Sequence, residues 1–326
     1  MTDAAPIPGA ASHLKEILRR RPADAGEQPA GAQKVLETGA IEKAGAADDT
    51  GRVTQASTAA IQPRQALSWK LVPAILLSSS AVLLFGFESD LAGYSVLAAS
   101  LIAALVVDRE FARHAALIAF GLVTISAVPL NADLSIRHML LMGMALALAV
   151  VVPYLISRFG YRDHLVRFPV LTGRRWPLIA KLYLFGVVAL GYLILPFYLI
   201  NTGVYQNWPD ASDPSVFVRL FVGINAVGIW DELFFVCTTF TLLRHHFPDW
   251  LANILQAVIF SSFLWEIGYQ SWGPLLTFPF AMLQGYTFKL TKSLTYVVSV
   301  HLLFDLVLFL VLVHAHNRDW LPIFLY

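Results

Sequence analysis

The chain has 326 residues, of which 57% are hydrophobic and 14% charged, and its mean hydropathy is +0.63. That is a membrane composition: at about 20 residues per crossing, the stretch after the first 65 or so residues holds about nine crossings and leaves no room for a second globular domain. A formal charge of +1 argues against a nucleic-acid binder, and the single cysteine, Cys237, excludes an intrachain disulfide framework and any Cys-based zinc or iron–sulfur centre.

Residues 1–66 mix Ala, Gly, Pro and scattered charge without an apolar run, which predicts a disordered arm with no cleavable signal peptide. From Leu71 onward, apolar segments fall at about 71–87, 93–107, 114–130, 138–156, 179–200, 216–243, 251–269, 274–288 and 294–313. The expected fold class is an all-α, polytopic integral membrane helix bundle of about 8–9 transmembrane helices. One side carries Arg109, Arg113, Arg158, Arg162, Arg167, Arg174, Arg175, Lys181, Arg244, Lys289 and Lys292, whereas the other side holds only Arg137, Arg219 and Arg318. Cytoplasmic loops concentrate Lys and Arg. The arm is therefore predicted cytoplasmic and the C-terminus outside, in a multi-pass protein of the plasma (inner) membrane.

Ionisable side chains within the hydrocarbon are costly and mark functional candidates. Here they are Asp231 and Glu232 in the sixth segment, Glu266 in the seventh, and His301 with Asp305 in the ninth. At a rise of about 1.5 Å per residue, Asp231, Glu232, His301 and Asp305 share one layer, while Glu266 lies nearer the outer half. His301 and Asp305 are i and i+4 and share a helix face, whereas Asp231 and Glu232 diverge by about 100°, so only one is expected to lead into a common site. A carboxylate facing an imidazole in low-dielectric surroundings holds and activates water. The same groups offer an alternative divalent-metal site, with zinc as a candidate, though no cofactor is demanded. A third reading is hydrogen-bonded glue between helices.

The stretch from Trp230 to Asp305 resembles the CPBP family, the CAAX-protease and bacteriocin-processing intramembrane proteases also described as type II CAAX prenyl endopeptidases. The family pattern is E-E-x-x-x-R, then F-x-x-x-H, then H-x-x-x-N or H-x-x-x-D. Here the first part reads Asp231-Glu232-Leu-Phe-Phe-Val236, and the third reads His301-Leu-Leu-Phe-Asp305 after Gln284-Gly285-Tyr286 and Ser293-Leu294. The resemblance implies a membrane core over 176–326, preceded by added helices over 67–175. Asp231 would activate water beside a structural Glu232, and His301 and Asp305 would stabilise the oxyanion, Asp305 donating only if protonated. The Arg position is Val236, which leaves Glu232 without a guanidinium partner or turns it into the site in place of Asp231. The seventh segment has no His, so its motif reads Phe260–Leu264, Ser262–Glu266 or Trp265–Tyr269, with Glu266 or Tyr269 as substitutes. The implied function is an intramembrane endopeptidase acting on membrane-proximal, prenylated or leader peptides, with a peptide or protein substrate and the lipid bilayer as partners. The alternative is a catalytically inactive scaffold of the same fold.

Cys237 reads as packing, because an apolar helix raises a thiol's pKa and makes it inert. His245 and His246 read as helix-end surface groups, His314 and His316 as an exposed tail. Trp208, Trp272 and Trp320 read as an aromatic belt.

Overall fold

The computed structural model describes residues 68–325 except Arg174 and Ser212. The expected arm over 1–66 lies outside these residues. Within them the chain forms nine helical rods and no strand: α1 Leu71–Gly86, α2 Asp90–Val107, α3 Arg109–Ser126, α4 Ile136–Tyr161, α5 Leu178–Thr202, α6 Pro214–His246, α7 Asp249–Ile267, α8 Pro274–Thr291 and α9 Leu294–His316. Six of them, α2, α4, α5, α6, α7 and α9, are long and apolar enough to cross a membrane. Each of the nine predicted segments is helical, but α1 is short and α3 opens with Arg109, Glu110, Arg113 and His114. The chain is thus a multi-pass membrane protein.

Local signals set the boundaries. Asp108, Ser135, Asp213 and Ser293 each accept a hydrogen bond from an N–H in the first turn of the helix that follows, the N-cap chemistry expected of Ser and Asp. Pro214 follows Asp213 at the first helical position. Gly203, at φ 74°, closes α5 in the left-handed conformation.

α1 packs on α2 and α7, α3 on α4, α7 on α8, and α9 on both α5 and α6. The middle of α6 is the hub. There Phe235 stacks on Phe260 of α7 with centroids 4.4 Å apart, Trp230 stacks on Phe234 at 5.2 Å, and the Trp230 indole N–H donates to the Leu146 carbonyl of α4 at 2.7 Å. A methyl at Gly121 of α3 would overlap the Phe234 ring, so this glycine lets α3 close on α6.

At the end of the bundle rich in Lys and Arg, the sixth helix finishes in a buried polar chain rather than at the surface. The Lys70 ammonium bonds Asp108 at 3.0 Å and reaches His246 Nδ1 at 3.5 Å; His246 Nε2 meets His114 Nδ1 at 2.7 Å, and His114 Nε2 meets Asp163 at 3.0 Å. His245 pairs with Glu110 at 3.0 Å. The surface reading of His245 and His246 is therefore corrected for His246, which folds inward because Lys70 and His114 use both its ring nitrogens. Burial pushes the Asp163 carboxyl up, but hydrogen bonds from the Ser157 hydroxyl, the Leu165 N–H and His114 outweigh it and hold it below its ordinary value. With its folded value depressed, this carboxylate stabilises the fold at neutral pH and loses that contribution as pH falls through the depressed value. Asp163→Ala is expected to cost about 1.5–3 kcal/mol at pH 7 and progressively less as pH falls below the ordinary carboxylate range, measured by thermal unfolding in detergent.

The opposite end differs from expectation as well. Trp208 is buried, packing edge-on against Tyr269 at 5.5 Å, and is no part of an outer belt; Trp272 packs on Tyr198 at 4.7 Å, while Trp320 stays exposed. His314 bonds the Leu321 carbonyl at 2.7 Å and His316 the Trp208 carbonyl at 3.1 Å, so both tie down the terminal loops instead of forming a free tail.

Candidate active site

α6 changes character at the acidic pair. Asp231 ends its first α-helical part, and Glu232–Phe240 continues as a wider π-helix of nine residues; the hydroxyls of Thr238 within it and of Thr241 just after it donate to carbonyls five residues back. π segments are rare and concentrate at functional sites.

His301 of α9 is the centre of the constellation. Its Nδ1 lies 2.7 Å from Glu232 Oε1, and the Gln284 amide of α8 donates to that same oxygen at 2.5 Å. With Glu232 accepting there, the imidazole proton sits on Nδ1. The other nitrogen, Nε2, lies 3.7 Å from Asp231 Oδ2 and 3.8 Å from Asp305 Oδ1. Those separations exceed a direct hydrogen bond and suit a bridging water. Asp231, Glu232, His301 and Asp305 are all buried, and Asp231 Oδ1, Glu232 Oε2 and Asp305 Oδ2 have no hydrogen-bonding partner among the described residues. Buried carboxylate oxygens are normally satisfied, so these atoms are poised for something the chain does not supply.

Spacing predicts that only one of Asp231 and Glu232 reaches the site. Both reach His301, because the imidazole presents its two nitrogens on opposite edges and each acid addresses one. Glu232 is not left unpaired by Val236 either, since Gln284 and His301 replace the expected guanidinium. Only Asp231, His301 and Asp305 face the neighbouring cavity of about 390 Å³; Glu232 stands behind the imidazole. Gly228, one turn before Asp231, lies against Asp305 and His301, and its missing side chain gives that carboxylate its place.

Of the three second-motif readings, Leu264 and Tyr269 line the cavity. Glu266 does not. Two residues after Leu264 it points roughly 200° away around α7, toward the Leu130 backbone N–H and the carboxylates Glu88 and Asp90. Phe260 keeps its ring 6.1 Å from that of His301. Among the described residues, no three or more His, Cys, Asp or Glu side chains are placed to hold a metal ion, and Glu232 lies on the opposite edge of the imidazole from Asp231 and Asp305, so the zinc alternative does not fit.

Sequence reasoning assigned no role to Gln284 or Gly228, although an amide in an otherwise apolar helix was a visible signal. Gln284→Leu strips one of two donors from a buried carboxylate and is expected to lower stability by about 1.5–3 kcal/mol, read from the thermal midpoint of the purified protein.

No curated protein and no solved structure gives a significant match to the chain. Residues 213–307, from the cap of α6 to the middle of α9 and so including every member of this constellation, match the family described as type II CAAX prenyl endopeptidase Rce1-like, which supports a CAAX/CPBP-type intramembrane protease in general.

Proposed function

We propose that this chain is an intramembrane endopeptidase that uses Asp231 as its water-activating carboxylate. The observation that carries the reading is the pair of unpartnered acids, Asp231 and Asp305, set on either side of His301 Nε2 at the end of an apolar cavity. Three carboxyls share this layer with one imidazole and no Lys or Arg partner among them, and uncompensated buried charge is expensive. At least one of the three acids is then neutral; the mechanism needs that one to be Asp305, and needs Asp231 ionised beside a protonated His301 Nε2, a division of labour between two acids like that of aspartic peptidases.

In that form Asp231 takes a proton from water while the oxygen adds to the peptide carbonyl carbon. The oxyanion is held by His301 Nε2–H and the Asp305 hydroxyl. Collapse breaks the C–N bond, and the proton on Asp231 goes to the departing amine. Glu232 and Gln284 are positioning residues behind the imidazole. Peptide or protein in the membrane is the substrate class.

The test compares N- and C-termini across the membrane and secreted proteome of cells carrying the wild-type chain or Asp231→Asn at matched expression. A set of termini lost in the variant supports the reading and names the substrate. If every terminus persists while deletion of the gene has a phenotype, the reading fails. The second reading, an inactive scaffold, draws on one observation: a leucine, Leu264, lines the cavity at one reading of the position where the family pattern places a histidine.

A further inference from the structure

The cavity beside His301 is built from one half of the bundle. α4 lines it from His138 no further than Leu146, α6 from Leu220 no further than Asp231, α8 from Leu275 no further than Leu283, and α7 only from Leu264 onward. These stretches adjoin the connections 127–135, 203–213 and 268–273, and all three contribute lining residues themselves, Asn131, Trp208 and Tyr269 among them. α5 and α9 supply residues from their middles, and no described residue of the connections at the opposite end lines it. Below His301 the interior is shut by Glu232, Gln284, Phe235 and Phe260, each with no exposed surface. The space therefore has its mouth at one end and its floor at the catalytic layer.

Charge says which end that is. The described residues of the connections at the mouth contain no Lys or Arg, whereas the opposite end carries Arg162, Arg167, Arg175, Arg244, Lys289 and Lys292. Basic connections stay cytoplasmic. The throat is apolar, with Asn131, Asp133 and His138 as polar groups at its mouth. Such a profile fits a polypeptide whose polar flank lies outside the bilayer and whose apolar stretch lies within it.

We infer that the site is served from the extracytoplasmic end, and that its substrates are juxtamembrane segments of proteins already carried across the membrane, not tails displayed on the cytoplasmic face. The direction of access stands independently of catalysis; the substrate class rests on the peptidase reading.

The test uses the full chain in cells with Cys237→Ala as background and single cysteines at Asn131, Leu276, Leu264 and Leu171. Asn131 is at the mouth, Leu276 and Leu264 line the throat, and Leu171 lies exposed in the opposite connection. A membrane-impermeant, charged thiosulfonate is applied to intact cells stripped of any outer barrier, and to everted vesicles. The expected result is modification of Asn131→Cys, Leu276→Cys and Leu264→Cys in intact cells only, with Leu171→Cys modified in vesicles only. Modification of the throat positions from the vesicle side overturns the inference, as does protection of both throat positions on both sides while Asn131→Cys reacts. Leu276→Cys keeps the test decisive if Leu264→Cys misfolds. Termini that depend on Asp231 then locate the cut: in extracytoplasmic segments they uphold the substrate class, and in cytoplasmic segments they overturn it while leaving the peptidase reading intact. If no terminus depends on Asp231, the peptidase reading and the substrate class fall together, and the labelling pattern still decides the direction of access.

Discussion

Replacing His301 by Ala is expected to lower the rate of peptide cleavage by about 10²–10⁴-fold, the range that a positioned acid–base group contributes. Asp231→Asn should fall in the same range. Glu232→Gln should cost less, because Glu232 stands behind the imidazole and acts by fixing its tautomer and charge. The informative variant is the double, His301→Ala with Glu232→Gln. If Glu232 works only through His301, the double should be no slower than His301→Ala alone, as groups that act as one unit are not additive. The measurement is single-turnover cleavage, by purified protein, of a peptide taken from a terminus that Asp231→Asn removes. Fully additive losses would give Glu232 a role of its own, apart from positioning His301.

Gly228→Ala is expected to be nearly as damaging without touching any reacting group. The added methyl would overlap Asp305 Oδ2 and lie 3.1 Å from Asp305 Cγ and 3.2 Å from His301 Cδ2. Either α6 and α9 part or the Asp305 carboxyl swings out of the layer. Overpacking of this kind costs about 1–3 kcal/mol, and the displaced acid should take most of the activity with it. Gly223→Ala is the control on the same helix: its nearest neighbour is Leu134 Cδ2 at 3.8 Å, an ordinary contact. Thermal unfolding of the two variants side by side should show a lowered midpoint for Gly228→Ala alone.

The helices and the four polar residues of the layer were legible in the sequence for different reasons. Apolar runs of membrane length admit helix as their backbone solution, so segments such as 294–313 announced themselves. Depth counting placed Asp231, Glu232, His301 and Asp305 together because rise per residue is nearly constant. Azimuth was the weaker quantity. It failed at Asp231 and Glu232, where the partner is a ring with two working edges, and at Glu266, where three motif registers compete and two residues' displacement turns a side chain from cavity to far side. What no local pattern carried was the identity of partners from distant helices. Gln284 standing in for a guanidinium, and His246 meeting His114, are facts of packing between segments 52 and 132 residues apart. Gly228 was silent for a related reason, since the need for an absent side chain is visible only from the residue that occupies the space.

The unequal lengths of the helices have a consequence for the bilayer itself. α6 has 33 residues, whereas α8 has 18 and α1 spans only Leu71–Gly86. At about 1.5 Å per residue, α8 covers roughly 27 Å, just under a hydrocarbon thickness of about 30 Å, while α6 exceeds it by more than half. A long rod relieves such mismatch by tilting and a short one by drawing the lipid surface inward. α8 flanks the cavity and supplies Thr277 and Phe280 to its wall. Thinning at that flank would bring headgroups and their water toward the layer of His301, a source of water for the hydrolysis proposed there.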